Sequence, residues 1–213
     1  MGSRALRIPL VAVMAGVTAI TGCKVVVSAG PSPAPSAVVT APAPSGPAGQ
    51  APARHGHRLA KISDEGRVTF SITLTHCHAR AGGQLPDPRC TPGSVDPAVT
   101  QADIGSTICR SGYTTTVRPP SSETTRAKYD VSYPAYHIPG GATSELDHLV
   151  SLELGGSNDI TNLWPEVGSL PNPKDKVENA LNRAVCDGRV SLAAAQRAIA
   201  TDWMTAESRL GLG

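Results

Sequence analysis

The chain has 213 residues, a formal net charge of +2 and only 3% aromatic residues. A charge this close to zero gives no argument, by itself, for binding to nucleic acid or to a membrane surface. With a single phenylalanine, the core must be built mainly from Val, Leu, Ile and Ala, and the length predicts roughly one domain.

The first 22 residues, 1–22, predict a signal peptide. Arg4 and Arg7 precede an apolar run, Ile8–Ile20, which is shorter than the ~20 residues that a membrane-spanning helix needs. The run leads into Ile-Thr-Gly-Cys, which resembles the lipobox of bacterial lipoproteins. This resemblance implies cleavage before Cys23 and lipidation of that cysteine. The alternative is an ordinary cleaved signal peptide and a fully secreted protein.

Residues 23–60 predict a disordered tether. Pro, Ala, Ser and Gly dominate between Ser28 and Arg54, and repeated prolines exclude a helix because they lack the backbone donor. Such a chain is semi-extended and spans ~3 Å per residue. We therefore expect an exported protein that a lipid anchor holds at the cell membrane, facing outside the cytoplasm.

Residues 61–106 predict an N-terminal region of strand and loops. Across Arg67–Thr75 apolar and polar residues alternate, which is the pattern of a half-buried strand. The triplet His76-Cys77-His78 contains zinc-ligand types, but three adjacent residues cannot easily all face one ion. We therefore expect Cys77 to form a disulfide with Cys90.

The cysteines predict two disulfides. Four remain when Cys23 is set aside, and an even number in an exported chain indicates paired cysteines, with three possible pairings. We favour Cys77–Cys90 and Cys109–Cys186. The second bond would close a long loop, which in chain-entropy models stabilises a fold by roughly 4–5 kcal/mol at most.

The segment Ile108–Pro120 predicts an extended piece that enters a rigid turn at Pro119-Pro120. Arg118 precedes this turn, and it has two interpretations: a phosphate contact or a solvated surface arginine. Farther on, one helix is predicted after Pro173, and a second after Ser191, which is a suitable N-cap. The apolar stripes of both helices are most simply explained as core.

Leu146–Leu154 predicts a strand, because its apolar residues recur at the same parity. Strict alternation would place His148 on this apolar face and Asp147 on the opposite one. Gly155-Gly156 then permits a sharp turn, and Asn162 opens a second extended piece before the helix.

The sequence DHLVSLELGGSNDITNLWP resembles the signature of HNH endonucleases, the His-Me finger group with a ββα-metal core. In that pattern Asp-His is followed by a hydrophobic stretch, Gly-Gly, Asn-Leu and a helix that bears a final metal ligand. More narrowly, the chain is similar to bacterial secreted HNH-like proteins in which LDHLVPLELGG precedes NLWP, a Lys-Asp helix and a Val-Cys. The resemblance covers about residues 107–203. It implies an α+β fold: a nuclease domain at 107–213 with a small ββα-metal core, additional strands, a C-terminal helix and disulfides.

The resemblance also implies roles for individual residues. His148 would be the general base that takes a proton from water, and Asp147 would hold a divalent ion, with Mg²⁺ expected and Mn²⁺ or Zn²⁺ as alternatives. Asn162 would anchor the loop and orient His148. Independently of the resemblance, Arg118 and Lys174 are candidate phosphate contacts, which contribute affinity without sequence readout.

Two positions depart from the family pattern. Ser151 stands where proline is usual, and no histidine follows His148 to complete the motif. The candidates for the helix-borne metal ligand are Asn172, Asp175 and Glu178. We favour Asp175, because its distance from Asn162 suits the first helical turns.

These expectations lead to two candidate functions. The first is a metal-dependent endonuclease that hydrolyses phosphodiester bonds in DNA or RNA outside the cytoplasm. The second is a non-catalytic envelope lipoprotein that uses the ββα frame as a scaffold or binding module. The missing last histidine favours the second, whereas the joint presence of Asp147, His148 and Asn162 favours the first.

Overall fold

The computed structural model describes residues 59–62, 64 and 66–213. The predicted signal peptide, Cys23 and the tether up to residue 58 lie outside the described residues. Strand β1 (Ala60–Lys61) pairs in parallel with β2 (Ser94–Val95), with a single 3₁₀ turn at Ala81–Gly83 between them.

Three short helices follow: α1 (Tyr113–Val117), α2 (Ser121–Arg126) and α3 (Tyr133–Tyr136), with a π-helical turn at Ala127–Ser132 between α2 and α3. The predicted extended structure across 108–120 is therefore wrong. Gly112 turns the chain into α1 at a φ of 79°, and α1 ends at Val117, because the next residue, Arg118, is extended with a ψ of 130°. The end is expected, because a residue that precedes proline disfavours the helical region.

Strands β3 (Ser144–His148) and β4 (Leu163–Val167) form an antiparallel pair in which Ser144 lies opposite Val167 and His148 opposite Leu163. The loop between them contains two 3₁₀ turns, Leu152–Leu154 and Ile160–Asn162. This pair is the only antiparallel sheet among the described residues.

The strand predicted across 146–154 ends at His148, so its second half is wrong. The reason is Asn162, whose buried amide accepts from Val150 N and donates to Val150 O, each at 2.9 Å. A side chain thus replaces the strand partner that Val150 would need. Gly156 allows this close packing, since a Cβ there would lie 1.7 Å from Val150 O.

The C-terminal part is helical, as predicted. Helix α4 (Lys174–Cys186) is followed by α5 (Leu192–Asp202), a 3₁₀ turn at Trp203–Thr205 and α6 (Ala206–Arg209). Ser191 caps α5 by accepting a hydrogen bond from Ala194 N at 3.3 Å.

One core unites these elements. Trp164 of β4 is fully buried, and residues on both sides of position 107 contribute. The largest buried apolar side chains are Trp164, Leu149, Leu154, Ile160, Leu163, Leu181, Ile199, Val150 and Val185. Both predicted disulfides are confirmed: Cys77–Cys90, with Cα atoms 5.9 Å apart, and Cys109–Cys186, at 5.6 Å.

The predicted strand Arg67–Thr75 is wrong, because only Thr69 forms an isolated bridge, to Asp159. Asp159 is completely buried and takes hydroxyl hydrogen bonds from Thr69 at 2.8 Å and from Ser71 at 2.9 Å. The polar face of the segment therefore turns inward, and Phe70 is left 57% exposed.

The architecture is α+β, with a small antiparallel sheet and two disulfides. In the part of the chain that the structure describes, no helix combines the length and apolar character that a membrane crossing requires.

Candidate functional site

Strand β3 brings three carboxylates together. Glu145 lies opposite Glu166 in the β3–β4 register, and Asp147 lies on the same face as Glu145 two residues later. Carboxylate oxygens of these three residues all lie within 4.8 Å of one another. We call Glu145, Asp147 and Glu166 the carboxylate cluster.

Glu166 is the least satisfied member of the cluster. It is 2% exposed, and within the described residues its Oε2 has no hydrogen-bond partner. Burial, with the nearby charge of Asp147, raises the pKa of Glu166 to about 8. At neutral pH this carboxyl is therefore mostly protonated, and a bound cation would take the place of the proton. A buried, unpaired carboxyl oxygen beside two further carboxylates is the donor set that a hard divalent cation prefers.

Lys174, the first residue of α4, lies against the cluster. Its Nζ is 2.8 Å from Asp147 Oδ2, pairs with Glu178 and donates to His148 O at 2.8 Å. Burial opposes its charge, but Asp147 and Glu178 outweigh burial and raise the pKa of Lys174 above its ordinary value. The predicted phosphate contact is wrong for Lys174, because the side chain is 1% exposed and its ammonium is fully engaged inside the protein.

His148 projects from the other face of β3, as alternation predicts. It is 7% exposed and contributes to the wall of a cavity of about 450 Å³ that Arg118 and Lys128 also line. We call this space the His148 cavity. Burial lowers the pKa of His148 to about 4, so its imidazole is neutral at neutral pH.

Asn158 determines which ring nitrogen of His148 carries the proton. Asn158 Nδ2 donates to Val117 O at 2.7 Å, which leaves Oδ1 to accept from His148 Nε2, also at 2.7 Å. The backbone N–H of Asn158 donates to buried Asp64. His148 Nδ1 is therefore the proton-accepting nitrogen, and the chain His148–Asn158–Asp64 holds the ring.

Asn162 anchors the loop, as predicted, but it does not touch the imidazole. Its Nδ2 donates to Val150 O and Ser157 O, each at 2.9 Å, while Oδ1 accepts from Val150 N. Its backbone carbonyl accepts from Leu149 N at 2.8 Å, next to His148. Asn162 thus fixes the backbone around His148, and Asn158 orients the ring.

The structure places Arg118 and Asp175, the predicted phosphate contact and the predicted helix-borne metal ligand, in different surroundings. Arg118 is exposed and lines the His148 cavity, where a phosphate contact stays a prediction. Asp175 is half-buried and does not belong to the carboxylate cluster.

Four residues of the site were missed from the sequence: Asp64, Glu145, Asn158 and Glu166. Period-two alternation contained a signal for Glu145, since it shares the parity of Asp147. The other three depend on contacts between distant segments, because strand register brings Glu166 to Glu145, and loop packing brings Asp64 to Asn158.

No protein-family model, curated protein or solved structure matches this chain. The resemblance to HNH endonucleases therefore rests on the motif between Glu145 and Glu166. Two groups define the site: a neutral base in a cavity that Arg118, Lys128 and Glu145 also line, and the carboxylate cluster, to which Glu145 also belongs.

Proposed function

We propose that this protein is a metal-dependent phosphodiesterase that cleaves nucleic acid outside the cytoplasm. The observation that carries the proposal is His148, a neutral imidazole that lines a cavity together with Arg118 and Lys128. A phosphodiester substrate brings an anion that suits these two cations, and its hydrolysis needs a base that is unprotonated at neutral pH.

His148 has the properties of that base. Nδ1 would accept the proton of an attacking water, while Nε2 remains bonded to Asn158. The imidazolium formed in this step would be stabilised by Asp147, whose charge favours protonation of His148, and by the amide oxygen of Asn158. Asn162 would act as a positioning residue, because it holds the loop that follows His148.

The carboxylate cluster fits a divalent ion. Glu145, Asp147 and Glu166 would hold it, with Mg²⁺ or Mn²⁺ favoured by an all-oxygen donor set. Such an ion supplies positive charge that stabilises the phosphoryl oxygens during hydrolysis. This ligand set replaces the expected pair of Asp147 and Asp175.

The chain order also supports membership of the His-Me finger group. β3, a glycine-containing loop, β4 and α4 follow one another in the order of a ββα core. The two disulfides are compatible with an oxidising compartment outside the cytoplasm. Lipid anchoring through Cys23 is part of the same proposal.

Plasmid and RNA cleavage tests this function. The purified protein is incubated with Mg²⁺, Mn²⁺ or Zn²⁺, and with a chelator, beside His148→Gln. We expect metal-dependent cleavage and a loss of about 10²-fold or more in the variant, which is the usual effect of removing a general base. His57→Gln, at a histidine outside the described residues, is the matched control. Equal cleavage by His148→Gln and wild type would exclude His148 as the base.

One observation favours the second candidate function, a non-catalytic scaffold. Lys174 already places an internal cation 2.8 Å from Asp147, so the cluster is partly neutralised without a metal ion. A scaffold predicts no cleavage with any of the three metals and no Mg²⁺-dependent rise in thermal stability. A nuclease predicts metal-dependent cleavage and a rise in thermal stability with Mg²⁺, because an ion that binds only the folded state stabilises it.

A further inference from the structure

Three histidines lie near one another on the surface of the protein. His76 and His78 flank Cys77, which is 1% exposed and forms a disulfide with Cys90. His137 follows α3 and contacts both of them. We call His76, His78 and His137 the histidine cluster. Cys77 is buried in the core, whereas His76 and His78 on either side of it are exposed.

Two of the three ring separations approach those around a shared ion. The ring centroid of His137 is 6.1 Å from that of His76 and 6.4 Å from that of His78. Imidazoles that bind one ion through bonds of ~2.0–2.1 Å have centroids roughly 5 Å apart. The exposed rings would have to turn toward one another to share an ion, because among the described residues only the carboxylate cluster already has three donor atoms within 4.8 Å of one another.

The backbone of the cluster is held in place. Cys77 N donates to Ala135 O at 2.8 Å, which joins the segment of His76 and His78 to the segment of His137. His78 N donates to the buried carboxylate of Asp87 at 2.9 Å. A metal ion would therefore find its ligands on two segments that are already fixed to each other.

Two of the three histidines have unusual backbone conformations. φ is 50° at His76 and 55° at His137, a left-handed region that is uncommon for residues other than glycine but that histidine enters more often than most. At His137 this conformation ends α3, and the N–H of His137 donates to Pro134 O and Tyr133 O. Within residues 66–213, none of the three rings makes a hydrogen bond that would explain its placement. Asp130, also exposed, lines a cavity of about 340 Å³ with His76 and His137 and offers a carboxylate on the same side.

From this geometry we propose that the histidine cluster binds one late first-row divalent metal ion, Zn²⁺ or Cu²⁺, through three imidazoles. A ligand set of imidazoles selects these ions over Mg²⁺, whereas the carboxylate cluster has the opposite preference. The site is thus chemically distinct from the proposed catalytic one, and neither depends on the other.

The test is a Zn²⁺ titration of the full chain by calorimetry, with millimolar Mg²⁺ present to occupy carboxylate sites. Cu²⁺ bound to the same protein is examined by electron paramagnetic resonance for coupling to imidazole nitrogens. The variants are His76→Asn and His137→Asn, because asparagine tolerates the left-handed backbone that alanine does not. Circular dichroism and metal-free thermal unfolding check that each variant is folded.

We expect one Zn²⁺ per chain, nitrogen coupling in the Cu²⁺ spectrum, and an affinity that falls about tenfold or more in each variant. Glu166→Gln and the double variant His55→Gln/His57→Gln should bind as the wild type does. No binding by the wild type, or unchanged affinity in a folded His137→Asn protein, would overturn the proposal. Loss of binding only in the His55→Gln/His57→Gln protein would also overturn it, because the ion would then belong to the N-terminal histidines.

Discussion

Replacement of Asn162 by alanine should be among the most destabilising single changes in the domain. The side chain is fully buried, and its amide satisfies both the N–H and the carbonyl of Val150 and the carbonyl of Ser157, each at 2.9 Å. Val150 and Ser157 are themselves fully buried, so water cannot easily replace the lost partner.

The magnitude follows from these three groups. A buried backbone group that loses its partner costs about 1–3 kcal/mol, so three such groups at the lower half of the range give a total of about 3–6 kcal/mol. A domain of this size has only about 5–15 kcal/mol of total stability. Asn162→Ala should therefore lower the midpoint of urea unfolding strongly, or leave the domain partly unfolded.

The assay is urea unfolding followed by circular dichroism. Asn179→Ala is the matched control, since Asn179 is exposed on α4 and its amide makes a single bond, to Asp175 O at 2.6 Å. That change should cost less than about 0.5 kcal/mol. If Asn162→Ala lies within about 1 kcal/mol of the wild type, then the side chain does not hold the loop and the reasoning above is refuted.

Three further predictions concern the same domain. Gly156→Ala should prevent stable folding, as judged by solubility and circular dichroism, because the new Cβ would lie 1.7 Å from Val150 O; a wild-type melting curve would contradict this. The double variant Cys109→Ser/Cys186→Ser should lose about 4 kcal/mol in urea unfolding, since the bond closes a loop of 77 residues, and a loss below about 1 kcal/mol would argue against that account. The stability advantage of wild type over His148→Gln should shrink by about 3 kcal/mol between pH 7 and pH 4. The pKa of His148 is about 4 in the folded protein and 6.5 ordinarily, so between pH 7 and pH 4 the unfolded chain takes up the proton more readily and acid favours unfolding. A difference between the two proteins that does not change with pH would disprove this.

Local chemistry made the C-terminal helices and the disulfides predictable. Ser191 can cap a helix whatever surrounds it, and Asp187-Gly188 ends the preceding one. An even number of cysteines in an exported chain indicated two bonds, and both expected pairs are present.

Some of the failed predictions share a cause, which is that a distant partner decides local structure. Alternation across Arg67–Thr75 predicted a strand, but buried Asp159 draws the hydroxyls of Thr69 and Ser71 inward instead. Lys174 was expected at a phosphate, but Asp147 and Glu178 retain its ammonium inside the protein. Asp159 and Asp147 lie far along the chain from the residues that they hold, whereas Glu178 lies one helical turn from Lys174.

The sequence by itself determined the types of residue available for chemistry and the parity that separates Asp147 from His148 on β3. Only the tertiary structure decided their companions. Strand register adds Glu166 to Glu145 and Asp147, and loop packing places Asn158 against the ring of His148. The physical reason is that periodicity specifies which face a side chain occupies, whereas the residues that meet it there depend on contacts between segments far apart in the chain.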